Sequence, residues 1–146
     1  MDKDKKRTIL IAEDDEEDLL LTQEAIKECG LVADLRVVKD GEELLDYLHR
    51  RGAYREACSP RPALILLDLR MPRKDGYEAL QEIRSDPALQ VIPVVVLTTS
   101  RTEEDVQGCY ALGVNSYIAK PNGFRGLVDA MMILKRYWFE VVSLPS

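Results

Sequence analysis

Four short stretches of this sequence carry side chains that could do chemistry together, and each stands directly behind an apolar run. Glu13, Asp14 and Asp15 follow TILIA, Asp68 follows ALILL, Thr98 follows PVVVL, and Lys120 follows SYIA. Carboxylates gathered at one crevice repel one another and call for a compensating cation. Hard oxygen donors suit Mg2+, which keeps several waters and takes one or two carboxylates with a phosphate oxygen. A hydroxyl and an ammonium converging on a metal-bound carboxylate could hold a phosphoryl group and offset its transition-state charge. Each feature also has a plainer reading. Asp15, Glu16 and Glu17 suit the positive end of a helix dipole, Thr98 could start a helix, and Lys120 could simply pair with Asp68. Asp68 resists such treatment, because it ends a fully apolar strand where desolvation of a charge is costly. The plain readings work singly and are much weaker jointly.

Whether these residues meet depends on the elements that carry them. Apolar runs that read as buried strands are Thr8–Ala12, Leu35–Val38, Ala63–Leu67, Pro93–Leu97 and Ser116–Ala119. The second, third and fourth are rich in Val, Ile and Leu without polar alternation, as expected of strands covered on both faces. Helical segments alternate with them. Glu16–Cys29 carries Leu21, Ala25 and Cys29 at four-residue spacing and stops at Gly30, and Glu42–Arg51 sets Leu44, Leu45 and Leu48 on one face before Gly52. Tyr77–Ser85 is closed by Pro87, Thr102 caps the next helix with Asp105 three residues on, and Gly113 ends it. The last helix, roughly Phe124 to Val142, is the longest.

Five strands alternating with five helices predict a parallel sheet with right-handed crossovers and helices on both faces. By analogy with flavodoxin-like folds the expected class is a doubly wound (βα)5 α/β domain of strand order 2-1-3-4-5. That order makes the first and third strands neighbours, so the residues after Ala12 and after Leu67 flank one crevice. Thr98 and Lys120 then lie on the same edge of the sheet.

Composition excludes several other classes. The chain has 146 residues, room for one domain spanning 1–146, and shows no repeat or second domain. A net charge of -6 argues against a nucleic-acid surface; the one basic cluster, Lys3, Lys5, Lys6 and Arg7, is broken by Asp2 and Asp4 and reads as a solvated tail. No apolar run is long enough to span a membrane and no secretory signal follows Met1. Cys29, Cys58 and Cys109 form no C-x-x-C pair, which fits a reducing compartment. With His49 the only histidine, a His-based metal site or triad is not expected. A cytoplasmic location follows by elimination.

The set Glu13-Asp14, Asp68 within LLDLRMPRKDG, Thr98 within VVVLTTS, and Lys120-Pro121 resembles the receiver domain of response regulators. The likeness runs in order along nearly the whole chain. It implies that Asp68 is the phosphoacceptor, taking a phosphoryl group from the phosphohistidine of a sensor histidine kinase, and that the protein is no enzyme in the usual sense. It implies direct Mg2+ ligation by Asp14 and Asp68, help from Glu13, and a further ligand in the backbone carbonyl of Arg70. Thr98 would donate to the phosphoryl group, Lys120 would pair with it, Tyr117 would be the aromatic switch partner of Thr98, and the Lys120–Pro121 bond would be cis. The segment RRGAYREACSPRP and the ending LKRYWFEVVSLP look like response regulators that partner bacterial phytochrome kinases. The ending also places no output domain after the last helix, so output would be by protein contact or by draining phosphate from another regulator.

Rival readings fare worse. An aspartate-nucleophile phosphatase of D-x-D type would need a second aspartate where Arg70 stands. A flavodoxin-like nucleotide carrier would want a hydroxyl- or glycine-rich loop after strand one, where this chain has AEDDEED. A receiver blind to phosphorylation, acting only as an interaction domain, is disfavoured by the presence of every expected site residue. The stripe Leu127, Met131, Leu134 and Trp138 is expected to be core. Tyr137, Phe139, Val141 and Val142, with the 138–146 extension, add apolar bulk that predicts a homodimer through helix four, strand five and the last helix.

Overall fold

A computed structural model of the chain describes residues 7–55 and 59–145. Strands β1 (Thr8–Ala12), β2 (Asp34–Val38), β3 (Leu64–Leu67), β4 (Val94–Thr98) and β5 (Ser116–Ala119) form one sheet of order β2-β1-β3-β4-β5, every pair parallel. Helices α1 (Glu16–Glu28), α2 (Gly41–His49), α3 (Gly76–Ser85), α4 (Glu103–Ala111) and α5 (Phe124–Arg136) make the crossovers. The two-residue period of a strand sorts the sheet's side chains between two cores. Ile9, Ile11, Leu64, Leu66, Val95 and Leu97 pack with α1 and α5. Leu10, Ala12, Ile65, Leu67, Val94 and Val96 pack with residues of α2, α3 and α4. Strands β1, β3 and β4 are buried along their whole length, which is why they read as unbroken apolar runs.

The expected strand and helix order therefore holds, with local corrections. Strand β2 is not covered on both faces: four of its five residues are half-buried, because it is an edge strand, and Asp34 and Arg36 within it pair with each other. Leu21 is exposed on α1, whereas Ala25 and Cys29 of the four-residue ladder face inward together with Thr22 and Ile26. Helix α2 stops at His49 because Arg50 takes the left-handed conformation at φ 57, ahead of Gly52. Thr102 caps α4 by accepting the Asp105 N–H, as its spacing predicts, and Gly113 follows at φ 89.

The end of the chain departs most from expectation. After Arg136 the helix widens into one π turn, Tyr137–Val141, and Val142 is extended. Trp138 and Phe139 fold back against the α1–α5 core, so part of the extension covers its own domain. Phe139 is thus not surplus to the core. Cys58 and the lysines at 3, 5 and 6 lie outside the described residues; Cys29 and Cys109 are buried and free. No helix among the described residues is long and apolar enough to cross a membrane.

Candidate functional site

The backbone at the C-terminal edge is locked by hydrogen bonds that continue the sheet past its strand ends. The Glu13 N–H donates to Val38 O at 3.0 Å and the Asp68 N–H to Ala12 O at 3.0 Å, which fixes both acids in the crevice between β1 and β3. The Lys120 N–H donates to Thr98 O at 2.7 Å, so lysine and threonine are held side by side after β5 and β4. Glu13, Asp14 and Asp68 each present a carboxylate oxygen within 4.8 Å of the others, two of them buried and Asp14 exposed. Asp68 is only 8% exposed. The Arg70 N–H bends back to Asp68 Oδ1 at 3.3 Å, and the Asp15 N–H donates to Glu13 Oε2 at 3.1 Å.

Lys120 enters this acidic group from the far side. Its Nζ lies 2.6 Å from Glu13 Oε1, 3.1 Å from Asp18 Oδ2 and 3.6 Å from Asp68 Oδ2. Burial pushes Glu13 up to about 7, opposed by the Lys120 hydrogen bond and reinforced by the charge of Asp68. For Lys120, burial acts downward, but the bond to Glu13 and the charge of Asp68 outweigh it and hold the ammonium above the ordinary lysine value. Three carboxylates, those of Glu13, Asp18 and Asp68, thus face one ammonium, and the Asp14 carboxylate stands beside Glu13 and Asp68. A cluster so short of positive charge, built from hard oxygens, is suited to a divalent cation.

The response regulator receiver domain family matches residues 9–132. The chain belongs to that family. As such it is a two-component response regulator, a signalling protein. It is 42% identical to response regulator Rcp1 of Synechocystis over 96% of this chain and 94% of that one. It is 38% identical to a probable methanogenesis regulatory protein, FilR2, of Methanothrix harundinacea, over 89% of this chain and 82% of the relative. Among solved structures, the phosphorylated cyanobacterial phytochrome response regulator RcpA superimposes with a TM-score of 0.89 at 42% identity, covering 97% of this chain and 99% of RcpA. RPA3017, a response regulator in red light signaling of R. palustris, gives a TM-score of 0.91 at 36% identity, covering 96% and 99%.

In this receiver Thr98 is wholly buried, and its hydroxyl has no hydrogen-bond partner among the described residues. A buried hydroxyl without a partner is uncommon and needs a reason. Tyr117 is already turned inward: it packs on the α2–α4 core, and its hydroxyl donates to Ser100 O at 3.0 Å. The Lys120–Pro121 bond is trans, no cis peptide occurring among the described residues. Lysine–proline sequences favour trans by only about 0.5–1 kcal/mol, and here Gly123, at φ 89, turns the chain into α5.

Two residues escaped the reading of the sequence. Asp18 reaches Lys120 because it lies one helical turn beyond Asp14, a spacing that could have flagged it. Gly76 gave no such signal. Its N–H donates to Leu69 O at 2.9 Å, and a Cβ there would stand 2.6 Å from Asp68 O and 2.7 Å from Leu69 Cα. Only a glycine lets α3 start so close to the loop that carries Asp68.

Proposed function

We propose that Asp68 accepts a phosphoryl group from the phosphohistidine of a sensor histidine kinase, in a reaction that requires Mg2+. The observation that carries this reading is the buried Asp68 carboxylate inside the Glu13–Asp14–Lys120 cluster, beside a threonine hydroxyl that has no partner among the described residues. An Asp68 oxygen attacks phosphorus, a P–O bond forms as the P–N bond breaks, and the imidazole leaves with the bonding pair. Glu13, Asp14, Asp68 and the carbonyl of Arg70 would hold the cation, which when bound supplies positive charge against the phosphoryl oxygens. Lys120, already within ion-pair distance of Asp68, adds a second positive charge. Thr98 donates its free hydroxyl to a phosphoryl oxygen, and Tyr117 answers the loop movement that follows. Water later attacks phosphorus, the P–O bond to Asp68 breaks, and the carboxylate and inorganic phosphate are restored. The protein therefore takes part in its own phosphorylation and dephosphorylation.

The relatives in phytochrome and red-light signalling support a phytochrome-like kinase as the partner. The Mn2+-bound form of Rcp1, together with the Glu13–Asp14–Asp68 cluster of this chain, supports divalent cation binding. Output would run through protein contact, including a homodimer. Tyr110, Met132, Ile133, Tyr137 and Val141 are large apolar residues left exposed on α4, α5 and the π turn, and they support a self-association face. Labelling with acetyl phosphate and with purified candidate kinases tests the acceptor. The wild type is expected to label only with Mg2+, and Asp68→Asn or added EDTA to abolish it. Full labelling of Asp68→Asn would overturn the assignment.

A further inference from the structure

One carboxylate outside the acidic cluster ties together three elements that surround it. Asp105, in the first turn of α4, accepts the Tyr77 hydroxyl of α3 on Oδ1 at 2.8 Å and the Ser100 hydroxyl of the β4–α4 loop on Oδ2 at 2.5 Å. Its backbone O also accepts from the Tyr77 hydroxyl, at 3.1 Å, and its N–H is bound to the Thr102 cap. Ser100 is buried, and its carbonyl receives the Tyr117 hydroxyl of β5. Tyr77 is a firm anchor for this chain of bonds. It follows Gly76, which is pressed against the backbone of Asp68, and its ring lies against Gly108 of α4.

We propose that Asp105 is a positioning residue that, through Ser100 and braced by Tyr77, holds the β4–α4 loop where the Thr98 hydroxyl stays unpartnered. The proposal rests on Asp68 as phosphoryl acceptor and deepens that reading. Two buried hydroxyls stand two residues apart, Thr98 at the end of β4 and Ser100 in the loop, and among the described residues only Ser100 has a partner, Asp105. Thr98 gains a partner when a phosphoryl oxygen arrives on Asp68, and its approach draws Ser100 away from Asp105. The brace therefore opposes occupancy of the site. Bonds to an ionised carboxylate are the stronger kind, so this opposition is large enough to measure.

Isothermal titration calorimetry with beryllofluoride and Mg2+, on the wild type, Tyr77→Phe, Asp105→Ala and the double variant, tests the proposal. Tyr77→Phe, which removes one bond to the Asp105 carboxylate, and Asp105→Ala, which removes both, are each expected to bind about three- to tenfold more tightly, and the double variant no more tightly than the better single one. A merely structural role would lower the melting temperature without raising affinity. Unchanged or weaker binding in both single variants, or gains that multiply in the double variant, overturns the brace while leaving Asp68 as acceptor. A wild type and variants that all take up no beryllofluoride would remove the acceptor reading itself, and the brace with it.

Discussion

At Gly76 the smallest possible side chain is the only one the acceptor loop admits, since a methyl group would stand 2.6 Å from the carbonyl of Asp68. Gly76→Ala is therefore expected to destabilise the protein by about 1–3 kcal/mol, the range for forcing extra volume into a packed site. Urea unfolding measures it; an unchanged midpoint would mean that the α3 start can give way. The acids, the threonine and the lysine were legible in the sequence because each closes an apolar run, and a charged or hydroxyl residue at such a place needs explaining. Gly76 was not legible, because the contact that demands it comes from a chain segment folded onto it. Asp18 lay between these cases: its spacing from Asp14 was readable, but the ammonium it meets belongs to a residue 102 positions away.

Among elements, the apolar runs of β1, β3 and β4 announced central strands, and the order of the sheet followed from alternation with helices. The same rule overreached at β2, where Val37 and Val38 resemble a covered strand while the edge position leaves room for Arg36 to reach Asp34. The last helix was legible to Arg136. Beyond it the apolar residues divide in a way their order does not reveal: Trp138 and Phe139 turn to the core, and Val141 is 73% exposed. Ending the chain at Arg136 should therefore cost about 2–4 kcal/mol of stability through the lost aromatic cover. Denaturant unfolding of that truncation checks it. A truncation as stable as the full chain would show that the aromatic pair rests on the core without supporting it.

The acidic cluster sits at the C-terminal edge, while the exposed apolar face of α5 runs down one side. Ile133, 69% exposed in the middle of that face, is the position where a charge would oppose self-association without entering the core. Light scattering is expected to find the wild type dimeric and Ile133→Glu monomeric, with equal thermal stability in dilute solution. A wild type that stays monomeric at high concentration, with and without beryllofluoride and Mg2+, would remove the dimer. The residue that receives the phosphoryl group can be read directly. After treatment with acetyl phosphate and Mg2+, borohydride reduces an aspartyl phosphate to homoserine, and peptide mass mapping locates the altered residue. Conversion at position 68 alone, lost when EDTA is present, is the predicted result; conversion at another carboxylate with Asp68 intact would contradict it.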